Sequence, residues 1–574
     1  MKNIPLYEVR KITSIKDMME TSADQFSDRT AFLYKPKGSD KYQPVTFRQF
    51  KDDVDALGTE LISMGLKGGR IAIISENRYE WAVSYMAVVN GTGIVVPLDK
   101  ELPENEIENL LIRAKVDAII FSGNLKDHIL NISKKIDFVK HYILMDEAAE
   151  EVPQDNSILE FKRLIENGKK KVADGSKDFI DAQIDTEAMS ILLFTSATTD
   201  KSKAVMLSHS NITKNLMAMS SMLNIVPDDI FLSILPLHHT YENTCGFLCP
   251  HYRGAAVAYC EGLRHIPKNL QESKATVMLG VPLIFEAIYK RIWDQAAKNP
   301  ETLKKLKFGL KLSGFLKKIG IDITKKLFAP IHNNFGGKVR IFISGAAGID
   351  PEVAKGFRNF GILFVQGYGL TECSPIVALN RDVDFKDNAA GLPLPGIEVK
   401  IGEPDSEGVG EIMVKGPNVM MGYYEDQENT DKVMKDDWFS TGDLGYIDSD
   451  GFVHITGRKK NVIVTKNGKN IYPEEIESLL AKSTYIKECI VFGKDDPVYG
   501  DVVVSSTIVP EMELIETEFE GRKPTEEEVN DIIRKEVKEV NKSLVIYKYV
   551  KDFNIRYEEF AKTTTKKIKR YVKD

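Results

Sequence analysis

Hydroxyl side chains and a lysine follow an apolar run in the stretch ILLFTSATTDKSKAVMLSHSN, residues 191–211. The polar residues concerned are Thr195, Ser196, Thr198, Thr199 and Lys203. A turn built from them presents hydroxyl and backbone N–H donors together with an ammonium group, which suits the oxygens of a polyphosphate. It is not a Walker A loop, because GxxxxGK followed by Ser or Thr occurs nowhere in the chain.

A purely structural interpretation of this stretch stays open. Its hydroxyl groups could form a solvated turn, and Ser208 or Ser210 could cap a helix that begins near Asn211. By itself the stretch does not decide between the two interpretations.

Further polar and glycine-rich segments follow along the chain. They are ILPLHHTYE (234–242), ISGAAG (343–348), VQGYGLTECSP (365–375), STGDLGYID (440–448), GRKKNVIVTKNGKNIYPEEIE (457–477) and KTTTKKIKR (562–570). Each alone fits an ordinary role, such as a turn aspartate, a glutamate at a helix N-terminus or a solvated basic tail. Their order along one chain carries more information than any single segment.

The elements that must position these segments are typical of parallel sheets. RIAIISENRYEWAVSYMAVVNGTGIVVPL (70–98) predicts a βαβ unit, and strand-like runs recur at VDAIIF, MSILLF, VRIFIS and ILFVQGYG with helical patterns between them. Such alternation favours parallel sheets covered on both faces, with ligands at the carboxyl ends of the strands. Near residue 390 the pattern changes to antiparallel meanders, and beyond residue 458 it suits a small α/β domain.

Composition excludes several classes of protein. The chain of 574 residues carries 77 Lys and Arg against 84 Asp and Glu, a net charge of -7, which argues against nucleic acid as a partner. Five cysteines without CxxC spacing fit a reduced cytoplasmic protein. The sequence contains neither a signal-peptide pattern nor an apolar run of about 18 residues, and a peripheral membrane contact stays open.

Taken in order, the segments resemble the signatures of adenylate-forming enzymes, the superfamily of acyl-CoA synthetases, peptide-synthetase adenylation domains and firefly luciferase. The phosphate-binding signature of that superfamily reads TSGTTGxPKG. Here Ala197, Asp200, Ser202 and Ala204 replace three glycines and the proline, whereas the hydroxyl residues and Lys203 remain. A Cβ at 197 or 204 would be costly if φ were positive there.

The resemblance implies a nucleotide site. The residues that would contact ATP or AMP are Thr195, Ser196, Thr198, Thr199, Lys203, Gly345, Ala346, Gly367, Tyr368, Gly369, Thr371, Asp443, Ile455, Arg458 and Lys567. In this site Tyr368 would stack on adenine and Thr371 would bond the α-phosphate. Glu372, with Thr195, would hold Mg²⁺.

The resemblance also implies an acyl pocket and a moving domain. His239 would gate the acyl pocket, and Lys567 would be the catalytic lysine beside Glu372, Thr371 and His239. Lys460 would be a hinge, and Gly468 would line a tunnel for coenzyme A. The implied architecture is α/β: an N-terminal domain (1–458) of two covered sheets plus a β-barrel-like subdomain, and a small α/β C-terminal lid domain (459–574).

VMLGVPLIFEAIYKRI (277–292) resembles the VPRxxExxYxxI segment of long-chain acyl-CoA synthetases, with Leu283 in place of the arginine. The implied reaction uses ATP and Mg²⁺ to activate a medium- or long-chain fatty acid to acyl-AMP. Transfer to coenzyme A then gives acyl-CoA, AMP and pyrophosphate.

Two alternatives accompany this expectation. The acyl acceptor could be the phosphopantetheine of an acyl-carrier protein. A degraded homologue could bind nucleotide or acyl ligand without turnover, since Ala197, Asp200, Ala204 and Lys566 occupy positions where the superfamily has glycine.

Overall fold

The computed structural model describes residues 4–146, 158–195, 202–465, 469–496, 501–519, 522–562 and 568–570. Its helices are α1 (Ile15–Phe26), α2 (Phe47–Leu61), α3 (Tyr79–Ala87), α4 (Glu104–Ala114), α5 (Lys126–Ser133), α6 (Phe161–Ala173), α7 (His209–Ser220), α8 (Cys249–Arg253), α9 (Ile266–Ser273), α10 (Pro282–Ala297), α11 (Pro300–Lys318), α12 (Thr324–Leu327), α13 (Ala329–Asn334), α14 (Pro351–Asn359), α15 (Gln427–Val433), α16 (Pro473–Leu480), α17 (Met512–Glu518) and α18 (Glu526–Lys542).

The strands alternate with these helices over most of the chain. They are β1 (Thr30–Tyr34), β2 (Gln43–Thr46), β3 (Gly69–Ile74), β4 (Gly93–Pro97), β5 (Ala118–Phe121), β6 (His141–Leu144), β7 (Ile158–Glu160), β8 (Met189–Thr195), β9 (Lys203–Ser208), β10 (Ile230–Ser233), β11 (Ala256–Tyr259), β12 (Val277–Gly280), β13 (Ile341–Ser344), β14 (Leu363–Gly369), β15 (Ile376–Leu379), β16 (Leu392–Pro393), β17 (Glu398–Gly402), β18 (Gly410–Lys415), β19 (Gly422–Tyr423), β20 (Met434–Lys435), β21 (Trp438–Ile447), β22 (Val453–Arg458), β23 (Ile463–Val464), β24 (Asn470–Ile471), β25 (Ile486–Asp496), β26 (Asp501–Pro510) and β27 (Val550–Ile555).

The chain forms two compact units. The first comprises Met1–Glu398 with Lys415–Met434, and the second comprises Val399–Val414 with Lys435–Asp574. The domain boundary expected at 458/459 falls inside the second unit, at the end of β22, and it stays a prediction.

The first unit contains two large sheets. One has the strand order β16-β15-β14-β13-β12-β10-β11-β1-β2, with parallel pairing from β14 to β1. The other has the order β19-β9-β8-β4-β3-β5-β6-β7, with parallel pairing from β8 to β7. The βαβ unit expected between residues 70 and 98 is confirmed as β3, α3 and β4, with β3 and β4 parallel.

An aromatic layer fixes helices on one face of the first sheet. Phe285 of α10 and Phe357 of α14 contact Phe342 of β13 and Phe364 of β14, with ring centroids 5.1 to 5.6 Å apart. All four rings are buried, and such pairs contribute about 0.5–1.5 kcal/mol each beyond their burial. The layer holds β13 and β14 side by side, which decides where their carboxyl ends lie.

The second unit combines an antiparallel sheet with a small α/β layer. The antiparallel sheet is expected from the pattern change near residue 390, and it is built from β17, β18, β20, β21 and β22. A separate sheet of β25, β26 and β27 shares a core with α16 and α18 through Ile476, Val491 and Ile533. Together the two units confirm the expected α/β class with a smaller C-terminal part. Across the described residues, no helix is both long and apolar enough to cross a bilayer.

The close packing of α2 on α6 generates a prediction about stability. A Cβ added to Gly168 of α6 would lie 1.9 Å from the carbonyl oxygen of Ala56 in α2. Gly168→Ala should therefore lower the melting temperature in differential scanning calorimetry, since overpacking costs about 1–3 kcal/mol. Gly314 of α11 has nothing within 4 Å of such a Cβ, so Gly314→Ala should raise it. Equal shifts for both variants would contradict the packing argument.

Candidate active site

Three of the predicted segments lie at one edge of the first sheet. Strands β10, β12, β13 and β14 are neighbours and parallel, so their carboxyl ends meet there. Residues 234–242 follow β10, Gly345 and Ala346 follow β13, and the triplet 367–369 ends β14. The register pairs Ser344 with Gln366, which places the turn after β13 beside the end of β14.

Tyr368, Thr371 and Glu372 are held by a network of backbone contacts. Tyr368 is 6% exposed and pairs with Ala378 across the antiparallel strand β15. Thr371 and Glu372 lie in the 3-10 turn Thr371–Cys373, where the Glu372 carbonyl accepts a hydrogen bond from Met420 N at 2.8 Å. The Asn418 side chain donates to the carbonyl of Cys373 at 3.0 Å. The turn is therefore held by Asn418 and Met420 as well as by strand β14, which it follows.

Glu372 and Lys203 are joined through Tyr423, which the sequence analysis missed. The Lys203 ammonium donates to the Tyr423 hydroxyl at 3.4 Å, and that hydroxyl donates to Glu372 Oε1 at 3.0 Å. The ammonium also lies 4.5 Å from the centroid of the Tyr423 ring. Burial, and secondly the Glu372 carboxylate, raise the pKa of the Tyr423 phenol, so the hydroxyl keeps its proton.

The register between two distant strands creates this contact. Tyr423 of β19 pairs with Val205 of β9, the strand that begins at Lys203. The tyrosine in MMGYYED carries no sequence signal of its own, because only the pairing of β19 with β9 brings its ring beside Lys203.

Thr195 lies directly opposite Lys203 in the β8–β9 ladder. Its hydroxyl donates to the Lys203 carbonyl at 3.4 Å. Ser208 caps α7 by accepting from Asn211 N at 3.2 Å, which confirms the expected helix start. Ser196, Thr198, Thr199, Ala197 and Asp200 lie outside the described residues.

Two alanines in the predicted nucleotide-binding motifs differ in their backbones. Ala204 is a strand residue of β9, paired with Phe194, and its φ is not positive, so its Cβ causes no backbone strain. Ala346 has φ 73°, a left-handed conformation that costs a non-glycine residue about 1 kcal/mol. The strain considered for position 204 is therefore absent, whereas the expectation for Ala197 lies outside the described residues.

Tyr241, a second residue that the sequence analysis missed, packs against this turn. A Cβ on Gly345 would lie 2.8 Å from the Tyr241 ring, so only glycine fits there. The Tyr241 hydroxyl donates to the carbonyl of Ile343 at 3.0 Å, and the neighbouring Thr240 hydroxyl lies 3.4 Å from that of Thr371. The segment after β10 therefore touches both the β13 turn and the β14 turn.

His239 lies in the same segment, against His238 with 4.2 Å between ring centroids. The His238 side chain is 9% exposed, and its Nε2 lies 3.6 Å from the Asp99 carboxylate. Burial lowers the pKa of His238 well below the usual range, which keeps the imidazole neutral at pH 7.

Glu242 ends this segment as a buried carboxylic acid. Its Oε1 accepts from the Ser233 hydroxyl at 2.6 Å, and its Oε2 has no hydrogen-bond partner among the described residues. Burial raises the pKa of Glu242 to about 8. The group is therefore protonated in the folded chain at neutral pH.

Asp443 and Arg458 form an ion pair in the second unit. Arg458 Nε lies 2.7 Å from Asp443 Oδ1 across the β21–β22 ladder, where the two residues are register partners. Asp443 is 5% exposed, whereas Ile455 of the same hairpin is 44% exposed. Two residues predicted separately are thus in contact.

The C-terminal segment is anchored on both sides of the predicted catalytic lysine. Lys562 forms an ion pair with Glu488 and an antiparallel β-bridge with Ile568. Arg570 forms an ion pair with Glu477 and donates to the Val491 carbonyl at 3.0 Å. The predicted hinge residue Lys460 is exposed in the 3-10 turn Lys459–Asn461. Gly468, Lys566 and Lys567 lie outside the described residues.

The donor set at Glu372 fits a metal held mainly by substrate. No group of three or more His, Cys, Asp or Glu side chains suited to a metal occurs within the described ranges. Mg²⁺ is commonly bound by one or two carboxylates together with phosphate oxygens. Glu372 suits this arrangement as a single carboxylate, whose Oε1 accepts a hydrogen bond from Tyr423 at 3.0 Å.

Comparisons with known proteins identify the family of this chain. The model of the AMP-binding enzyme family matches residues 19–424, and that of the AMP-binding enzyme C-terminal domain matches residues 460–571. The chain therefore belongs to the AMP-binding enzyme family, which confirms the resemblance to adenylate-forming enzymes.

Curated relatives share less than a third of their aligned residues with this chain. Fatty acyl-CoA synthetase A of Dictyostelium discoideum is 27% identical over 567 residues, which cover 95% of this chain and 82% of that protein. Long-chain-fatty-acid-CoA ligase 5 of Rattus norvegicus is 29% identical over 498 residues, 82% of this chain and 72% of that protein.

Solved structures share the fold over the full length. The anthranilate CoA ligase AuaEII in complex with anthranoyl-AMP has a TM-score of 0.77 at 19% identity, covering 99% of this chain and 98% of that chain. The o-succinylbenzoate CoA synthetase of Bacillus subtilis with ATP and magnesium has a TM-score of 0.71 at 21% identity, covering 96% and 98%.

The Tyr423 contact generates a prediction for catalysis. Tyr423→Phe should weaken acid-dependent ATP–pyrophosphate exchange about tenfold or more and raise the Mg²⁺ concentration for half-maximal rate, since hydrogen bonds to charged groups contribute about 1.5–3 kcal/mol. Tyr424→Phe is the matched control, because its hydroxyl accepts from Arg70 instead. Equal rates and Mg²⁺ dependence in both variants would contradict the linking role.

The buried Glu242 generates a prediction about pH. Its folded pKa of about 8 exceeds the reference value of 4.5, so between these values the folded state holds a proton that the unfolded state has lost. The free energy of unfolding should fall as pH rises through this window, by at most about 1.4 kcal/mol per pH unit.

Urea unfolding of Glu242→Gln from pH 5 to 8 should show a shallower pH dependence than the wild type. Glu166→Gln, at an exposed position of α6, should keep the wild-type slope. An unchanged slope in Glu242→Gln would rule out the buried acid as its source.

Proposed function

We propose that this protein is an ATP-dependent fatty acid:CoA ligase that forms acyl-AMP and then acyl-CoA. The observation that carries the proposal is the contact series from Lys203 through Tyr423 to Glu372, which joins a cation for phosphate oxygens to a carboxylate for Mg²⁺. The fatty acid class is supported by the names of the curated relatives and by the VPLIFEAIY segment.

In the first half-reaction, a fatty acid carboxylate would attack the α-phosphorus of ATP and pyrophosphate would leave. The carboxylate has a pKa of about 5 and is already ionised at pH 7, so no general base is needed. The chain must supply charge neutralisation and placement instead. Lys203 would hold the phosphates of the leaving group, and Thr371 would donate to the α-phosphate.

Several other groups would complete this site. Mg²⁺, when bound at Glu372 and Thr195, would neutralise phosphate charge. Tyr368 would stack on adenine beside Gly345 and Ala346. The further nucleotide contacts proposed are Ser196, Thr198, Thr199, Gly367, Gly369, Asp443, Ile455, Arg458 and Lys567.

In the second half-reaction, the thiol of coenzyme A would attack the acyl carbonyl and release AMP. Movement of the lid domain (459–574) about Lys460 would withdraw Lys567, and Gly468 would line the path of the pantetheine arm. His239 would gate the acyl pocket. The neutral His238 beside it adds no charge to that pocket at pH 7.

The proposed division of labour predicts the behaviour of a lysine variant. Lys567→Ala should reduce acid- and ATP-dependent pyrophosphate release about 10²–10³-fold, because it removes charge stabilisation in the transition state. It should leave acyl-CoA formation from supplied acyl-AMP near the wild-type rate. Lys566→Ala is the matched control and should retain both half-reactions.

The same assays test the function itself. AMP formation that requires both a fatty acid and coenzyme A, across acids of four to eighteen carbons, would support the ligase. Activity with holo acyl-carrier protein but not with coenzyme A would identify the carrier protein as the acyl acceptor. ATP binding without AMP formation for any acid would refute the enzyme and identify a degraded homologue.

A further inference from the structure

An apolar stripe runs along the outer side of α11 in the first unit. Phe308 and Phe315 are 66% and 63% exposed, and Ile319, directly after the helix, is 59% exposed. These residues lie seven and four positions apart, so with the half-buried Leu312 they share one face of the helix. Single exposed apolar residues are ordinary, but a contiguous stripe indicates an interaction site.

The fold does not need this stripe. An adjacent face of α11 packs inward through the buried residues Gly309 and Ser313, and a Cβ on Gly309 would lie 3.3 Å from Phe328. Gly320, with φ 80°, ends the helix and leads to Ile321, which is 47% exposed. The outer face can therefore be changed while the inner contacts stay intact.

Lysines lie beside the stripe. Residues 300–326 contain eight lysines against two acidic residues, Glu301 and Asp322, a local charge of +6 in a chain whose net charge is -7. Lys304, Lys311 and Lys318 lie three or four positions from Phe308 or Phe315, so they flank the apolar side chains on the helix surface.

Most of these charges are not compensated. In the described ranges only Lys305 and Lys317 of this group lie within 4.0 Å of a carboxylate, at 3.8 Å from Glu301 and 3.9 Å from Asp322. A long lysine side chain can lie along an apolar surface while its ammonium group reaches outward to an anion.

We propose that this α11 surface, Phe308, Leu312, Phe315 and Ile319 with their flanking lysines, docks on an anionic phospholipid bilayer. Aromatic and aliphatic side chains would enter the boundary between headgroups and acyl chains, and the lysines would pair with lipid phosphates. Lysine is depleted in the cores of protein–protein interfaces, which favours a bilayer over an acidic protein partner. The docking itself does not depend on the proposed function. Only the idea that docking gives the ligase access to fatty acids dissolved in the bilayer rests on that function.

Vesicle flotation tests the docking directly. The full chain should bind vesicles of phosphatidylcholine and phosphatidylglycerol in a 7:3 ratio, bind pure phosphatidylcholine at least about tenfold less, and lose most binding in 0.5 M salt, because headgroup attraction is screened. Absence of binding to the anionic vesicles would overturn the proposal.

Paired variants separate the contributions of the surface. The double variant Phe308→Ser with Phe315→Ser should lower the bound fraction at least fivefold, whereas Leu263→Ser with Ile546→Ser, two exposed apolar positions elsewhere, should not. Changing Lys304, Lys311 and Lys318 to Gln should have a similar effect, and changing Lys134, Lys535 and Lys538 to Gln should have none. Wild-type binding by the Phe variant would overturn the proposal.

Two further readouts distinguish lipid docking from self-association and from a general loss of activity. Sedimentation equilibrium without lipid should give the same mass for wild type and the Phe variant, since a dimer lost in the variant would assign the stripe to a second copy of the chain. If the protein is a ligase, activity with a water-soluble hexanoate should be unchanged in the variants, while activity with palmitate presented in vesicles should fall. Vesicle binding without any ligase activity would refute the proposed function and leave the docking surface intact.

Discussion

The hydroxyl of Tyr423, between the Lys203 ammonium and the Glu372 carboxylate, is the contact on which the arrangement of the site depends. Lys203 begins β9 of one sheet, and Glu372 follows β14 of the other. A neutral phenol between the two charges lets them stay close without forming a direct ion pair. Both charged groups can then turn to ligands of opposite sign, an anion for the lysine and a cation for the glutamate.

Other contacts keep this link in place. The side chain of Asn211 in α7 donates to the carbonyls of Pro417 and Val419, at 2.8 and 3.0 Å, and Asn215 donates to the carbonyl of Ile376 at 2.7 Å. Buried amide groups are costly unless they are paired, so these bonds fix the segment before β19 and the strand after the Glu372 turn relative to one helix. The site is thus supported by polar groups under it and not only by strands.

An alanine in these motifs has consequences that depend on backbone geometry. Ala204 is accommodated because the strand conformation of β9 tolerates any side chain, whereas Ala346 retains a left-handed φ and the strain that goes with it. Strained residues occur often at functional sites, where the surrounding structure holds them in place. Gly345 is retained because the Tyr241 ring occupies the space of a side chain. The side chains of Ala204 and Ala346 are therefore both accommodated by the structure around them.

The sequence by itself determined local elements, and it predicted the residue types of the candidate site. The period of apolar residues predicted β3, α3 and β4, a cap at Ser208 or Ser210 predicted the start of α7, and the ordered motifs indicated Lys203, Tyr368, Glu372, Asp443 and Arg458. These features depend on neighbours along the chain, which one sequence displays. Only the tertiary structure decided that Tyr423 and Tyr241 lie at the candidate site, and that Phe308 and Phe315 of α11 are exposed among the described residues. The physical reason is that side-chain contacts between distant segments follow from strand register and helix packing, such as the pairing of Tyr423 with Val205, and neither is encoded in local periodicity.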